Sequence, residues 1–148
     1  MNKLMLGIAL MALIIAIPAQ AQDSTPLSAQ KQEMIQENIL ANLQHSSIEV
    51  RATTIQLLID LQKNYPQSDF GYALLPMMDM LKSDDRPEFR ILAALALYHL
   101  DSDLGKFAVS RRAEFDDSPR VAKHCAALIR NWDKNTISTD LLAEVSRF

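Results

Sequence analysis

The chain has 148 residues, with 15 Lys and Arg against 18 Asp and Glu, 49% hydrophobic residues and a single cysteine. The acidic balance argues against a dedicated nucleic-acid binder, which needs clustered cations to neutralise phosphates. One cysteine excludes an internal disulfide, and the length suits a single domain that can bury a core without metal or disulfide staples.

The first residues read as an address. Lys3 supplies a positive start, Leu4 to Ile17 is a run of 14 apolar or small residues, and Pro18 ends it. Ala19-Gln20-Ala21 is a small-x-small cleavage site, so residues 1–21 are expected to be a signal peptide. The run is shorter than the roughly 20 residues of a membrane span. The expected mature chain starts at Gln22, carries a formal charge of −4, and lies in a bacterial periplasm or outside the cell. No membrane span is expected in it.

Residues 22–27 form a short polar leader. From about Ser28 to Leu43, Met34, Ile35, Ile39, Leu40 and Leu43 return at helical spacing. After Gln44-His45-Ser46-Ser47, a second helix is expected to begin with Ser46 as cap and Glu49 answering it three residues on. Asn64-Tyr65-Pro66 stops it. The next helix, from about Asp69 to Leu81, contains Pro76, which should kink it or mark where its regular part starts. Pro87 to Leu100 is apolar nearly all round and must be buried on most sides. Asp85 and Glu88 repeat the cap-and-answer spacing. Asp103 to Glu114 follows, capped by Asp101 or Asp103. Ser118 then caps a helix that opens with Pro119 and runs to Trp132. Asp133-Lys134-Asn135-Thr136 reads as a loop, and a last helix over 138–147 is expected to cover the end of the array.

Three stretches share one plan: Ser46-Ser47-Ile48-Glu49-Val50-Arg51, Asp84-Asp85-Arg86-Pro87-Glu88-Phe89-Arg90 and Asp116-Asp117-Ser118-Pro119-Arg120-Val121. Val50 to Phe89 is 39 residues and Phe89 to Val121 is 32, a period that implies stacked helix pairs. These residues resemble HEAT repeats. The middle unit matches best, with Pro76, Asp84, Phe89-Arg90 and then Ala93-Ala94-Leu95-Ala96-Leu97. The first unit keeps Val50-Arg51 but has His45 in place of the turn aspartate. The third keeps Asp116 and Val121, with Ala122 where the basic residue belongs. The resemblance implies an all-α fold: a short α-α superhelix of about three antiparallel helix pairs (28–65, 69–100, 103–132) plus the capping helix, forming one HEAT-like domain over 28–148. It also implies an Asp84–Arg90 bridge, and a concave surface made by the second helix of each pair. On that surface Gln56, Asp60, Lys63, Tyr98, Lys123 and Arg130 are the expected partner-binding residues.

Little points to chemistry. His45, His99 and His124 are far apart and lack ligand-spaced neighbours. Asp101-x-Asp103-x-Gly105 opens like a calcium loop, but Gly105 is one place early and Arg112 stands where the closing Glu belongs. There is no phosphate loop, nucleophile elbow or Cys-x-x-Cys. Cys125 and the Met77, Met78, Met80 cluster read as core. Tyr65, Tyr72, Tyr98 and Trp132 are the aromatic candidates for contact, and Arg111-Arg112 with Arg120, Lys123 and Arg130 are candidates for an acidic docking site. The expectation is a protein-binding scaffold without enzymatic activity, cofactor or metal. Self-association is the alternative. An enzyme-regulatory or small-ligand subunit, with a pocket beside Trp132 and His124, is a third reading.

Overall fold

The computed structural model describes residues 26–145, with side chains described for 26–134. The expected signal peptide, residues 22–25 of the leader and the last three residues lie outside the described residues. The described elements are all helical: α1 (Ala29–Leu43), α2 (Ile48–Asn64), α3 (Leu74–Ser83), α4 (Pro87–Leu100), α5 (Asp103–Phe115) and α6 (Pro119–Val145), with a short 3-10 turn, Gly71–Ala73, leading into α3. No described helix is long and apolar enough to cross a membrane.

Three of the turns are built alike. His45 Nδ1 accepts the Ser47 N–H at 3.0 Å, Asp84 Oδ1 accepts that of Arg86 at 3.0 Å, and Asp116 Oδ1 accepts that of Ser118 at 2.9 Å. Each acceptor closes a tight turn two residues ahead and so sets where the next helix begins. This moves two expected caps. The cap of α2 is Ser47, not Ser46: its hydroxyl accepts the Val50 N–H at 3.3 Å and donates to Glu49 at 2.7 Å. That hydrogen bond from Ser47 holds the Glu49 carboxyl below the ordinary carboxylate range. At α4 the cap position is Arg86, without a side-chain cap, because Asp84 rather than Asp85 holds the turn. Ser118 caps α6 as expected, with Pro119 first in the helix. Pro76 is the third residue of α3, where its missing N–H costs nothing, so it marks the start of the regular helix and does not kink it.

The expected loop at 133–136 and separate helix at 138–147 are not seen as such: α6 runs unbroken through 133–136 to Val145. The stretch has no Gly or Pro to stop it, and Lys106 Nζ reaches Asp133 at 2.9 Å, tying the extension to α5.

The helices form two layers. α1 packs on α2, α3 on α4 and α5 on α6, while α2, α4 and α6 lie side by side. α4 is central and touches α2, α3, α5 and α6. Its Ala93, Ala94 and Ala96 are fully buried, and such small residues let neighbours approach on several sides. Ile39, Ile55, Leu58, Met77, Leu81, Leu97, Val109 and Val121 fill the space between layers. Cys125 is also core, and burial, then Asp116, push its thiol up to about 11, leaving it unreactive. Trp132 is buried rather than available for contact. Its Nε1–H donates to Asp101, which ends α4 at φ 49°, a conformation that Asp tolerates better than most residues. Asp101 is thus a helix terminator, and Ser102, not Asp101 or Asp103, caps α5.

Ion pairs connect successive units. Arg51 Nη2 meets Asp84 Oδ2 at 2.6 Å, and Arg90 Nη2 meets Asp116 Oδ1 at 2.9 Å and Asp117 Oδ1 at 2.6 Å. The bridge expected between the Asp84 carboxylate and Arg90 is replaced by this forward pairing. Arg90 instead donates through Nη1 to the Asp84 carbonyl at 2.8 Å, so its guanidinium ties two turns together. Arg51 also lies 4.5 Å from the centroid of the Phe89 ring, a cation–π contact across the same seam.

Arg90 is 7% exposed and the Asp116 side chain is fully buried. Removing one partner strands a buried charge, so Arg90→Ala should lose about 3–5 kcal/mol. The half-buried Arg51 should lose about 1 kcal/mol in Arg51→Ala; urea midpoints of the two variants test the ranking. Burial alone would raise the Asp116 pKa, but the Ser118 N–H and Arg90 outweigh it and hold the carboxyl below its ordinary value. A depressed carboxylate stabilises the fold fully above its unfolded pKa of about 4 and loses that contribution as pH falls further. Asp116→Asn should therefore lose less stability than the parent over an acid titration below about pH 4, read by circular dichroism.

Candidate docking groove

Most of the exposed large apolar side chains lie on α1, α3 and α5, the layer opposite the second helices of the pairs. α5 is capped by Ser102, whose hydroxyl accepts the Gly105 N–H at 3.0 Å. Gly105 and Val109 form its buried face. Glycine is needed there: a Cβ at position 105 would lie 2.9 Å from the capping Ser102 Oγ and 3.4 Å from Leu97 of α4. With Gly105 and Val109 turned inward, Leu104, Phe107, Arg111 and Phe115 follow at spacings of 3, 4 and 4 and share one outward stripe. Phe107 is 64% exposed and Phe115 61%. Among the described residues these are the only exposed Phe, Tyr or Trp side chains.

The stripe borders a groove of about 400 Å3 between α3 and α5. Met78, Leu81 and Ala108 form its apolar floor, and Phe107 and Phe115 stand at its edge. Lys82, Arg111 and Arg112 complete the lining, which contains no carboxylate. Arg112 fastens the two walls together, donating to the Lys82 carbonyl at 2.8 Å and lying 3.7 Å from Asp116. Arg111 stacks over Phe115, 4.4 Å from the ring centroid. The groove therefore offers two aromatic faces and positive charge over an apolar base.

The six residues expected on the second helices lie on α2, α4 and α6. Gln56, Asp60, Lys63, Lys123 and Arg130 are exposed there. Asp60 and Lys63 both act electrostatically on His99, which places them near the α2–α4 seam. Tyr98 is half-buried, its ring edge-on to Trp132 at 5.0 Å, and so contributes to packing. Tyr65 and Tyr72 are half-buried too, and burial, then Asp69, push the Tyr72 phenol up to about 12. In the basic cluster Arg120 pairs with Glu88 at 2.9 Å on the surface. His124 is exposed with Nδ1 2.8 Å from the Arg120 carbonyl, whereas Trp132 is buried. Among the described residues no three His, Cys, Asp or Glu converge as metal ligands.

Sequence reasoning overlooked Phe107 and Phe115. The available signal was a surplus: α5 carries Leu104, Phe107 and Phe115 off the face that Gly105 and Val109 occupy, more apolar surface than one buried stripe requires. No family model matches this chain, and no curated protein and no solved structure matches it significantly.

Proposed function

We propose that this chain is an exported HEAT-like adaptor that docks a protein partner in the α3–α5 groove, the partner contributing one large apolar side chain flanked by carboxylates. The observation that carries this reading is the exposure of Phe107 and Phe115 beside a groove whose lining holds Lys82, Arg111 and Arg112 and no carboxylate. Exposed aromatics are costly to keep in water, and covering one stabilises a complex by about 1.5–3 kcal/mol. The cations orient the partner and speed its approach. A walled groove between packed helices needs little ordering on binding, which leaves more of that energy as affinity. The HEAT-like reading is supported by the repeated turn acceptors and the forward Arg-to-Asp pairs. Export is supported by the Leu4–Ile17 run and Ala19-Gln20-Ala21. The adaptor has no chemistry of its own in this reading, and no need of cofactor, metal or nucleic acid.

Peptide display on the folded chain tests the groove. Selected peptides should carry Phe, Trp or Leu between Asp and Glu. They should bind Phe107→Ala and Arg111→Glu about tenfold or more weakly, with melting temperatures close to the parent's because both side chains are exposed. Equal binding to the parent and both variants would overturn the groove. Dimers that form with concentration and vanish in Phe107→Ala would replace the foreign partner by a second copy.

A further inference from the structure

A second cavity, of about 430 Å3, lies at the opposite seam, where the end of α2 and the end of α4 meet the turn before α3. Gln62 in the last turn of α2 lines it. Gln62 is only 6% exposed, and both its Oε1 and its Nε2 are buried without a hydrogen-bond partner among the described residues. An unpaired buried carboxamide destabilises the fold, whereas Met or Leu would fill the same space without that penalty. Polar groups left unsatisfied in this way mark places where something other than packing decides the residue.

The rest of the lining has a definite chemistry. Phe70, Leu74 and Leu100 give an apolar wall. Asp69 and Asp101, both exposed, stand at the mouth, and no Lys or Arg lines the cavity. His99 completes the wall. Burial, and then Lys63, hold its pKa below the ordinary value against the pull of Asp60, so near neutral pH it offers one donor and one acceptor without charge.

We infer that this cavity binds the amide and ammonium of an amino-acid amide or of a peptide N-terminus with an aliphatic first side chain. An amide presents a carbonyl and an N–H side by side, the complement of the Gln62 carboxamide. Both amide atoms are sealed from solvent without the ligand, and the site forms when the terminal torsion, which is soft in glutamine, rotates the carboxamide to the cavity. The ammonium meets the carboxylates of Asp69 and Asp101, and the side chain lies against Phe70, Leu74 and Leu100. This site is separate from the α3–α5 groove, shares no lining residue with it and stands independently of the adaptor reading.

The test is a titration of the full chain with L-leucinamide, followed by amide and side-chain NMR shifts. N-acetyl-L-leucinamide, which lacks the ammonium, L-leucine, which lacks the amide, and the peptide Leu-Gly-Gly run in parallel. A ligand of leucinamide's size reaches roughly millimolar affinity. Saturable shifts are expected at the Gln62 side chain, Gly71 and His99, with the acetylated and carboxylate analogues weaker by about tenfold. Tighter binding of Leu-Gly-Gly than of leucinamide would identify a peptide N-terminus as the ligand, and the reverse a free amide. Gln62→Met should melt above the parent and bind leucinamide about tenfold more weakly. Asp69→Asn, which keeps the acceptor for the Gly71 N–H, should weaken leucinamide but not its acetylated form. No saturable shift up to about 10 mM leucinamide, equal binding by Gln62→Met, or a Gln62→Met variant that melts below the parent would each overturn the proposal.

Discussion

The buried guanidinium of Arg90 is the interaction on which the arrangement of helices depends. It donates to the Asp84 carbonyl in its own turn and to Asp116 in the next one. Asp116 in turn accepts the Ser118 N–H and so sets the start of α6. One cation therefore joins two turns 32 residues apart and fixes how far one helix pair is offset from the next. A buried ion pair adds little net stability over an apolar replacement. What it supplies is direction, since packed alanines on α4 would tolerate several offsets and the charge tolerates one.

The departures from the repeat pattern follow from this pairing. His45 occupies the turn position that Asp84 and Asp116 hold in the later units, and its Nδ1 accepts the same N–H two residues on. Among the described residues no unit precedes it to present a guanidinium, so an imidazole acceptor in place of a carboxylate suffices there. Ala122 holds the position of Arg51 and Arg90 in the third unit, and among the described residues no turn aspartate follows for a guanidinium to reach. Charge is present where a neighbouring unit supplies its partner.

The same stacking decides which helix faces are left open. α4 is enclosed by α2, α3, α5 and α6, which makes its seams core. Among the described residues no further layer covers the outer side of α3 and α5, and α5 brings two phenylalanines to that side. Where the ends of α2 and α4 meet the turn before α3, a cavity remains, with the buried Gln62 among its lining residues. The groove and the cavity differ in charge: cationic and aromatic between α3 and α5, anionic at the ends of α2 and α4.

Much of this was legible in the sequence. The helices, the turns at 44–47, 84–86 and 116–118, the burial of α4 and the core roles of Cys125 and Met77 follow from short-range patterns. Apolar periodicity and caps act over three or four residues, so the local chain determines them. Finer boundaries depended on a side chain two residues upstream: His45 moved the α2 cap to Ser47, and Asp84 displaced Asp85. The unbroken course of α6 through 133–136 lacked any local stop signal, and polar composition alone was a poor guide to a loop. Only the tertiary structure decided that Arg51 pairs with Asp84 and Arg90 with Asp116, that Trp132 is inside and Phe107 and Phe115 outside, and that the Gln62 amide is stranded beside a cavity. Those outcomes depend on contacts between residues 26 to 33 positions apart and on which helix face a neighbour covers, and both are set by the offset of the stack rather than by any single segment.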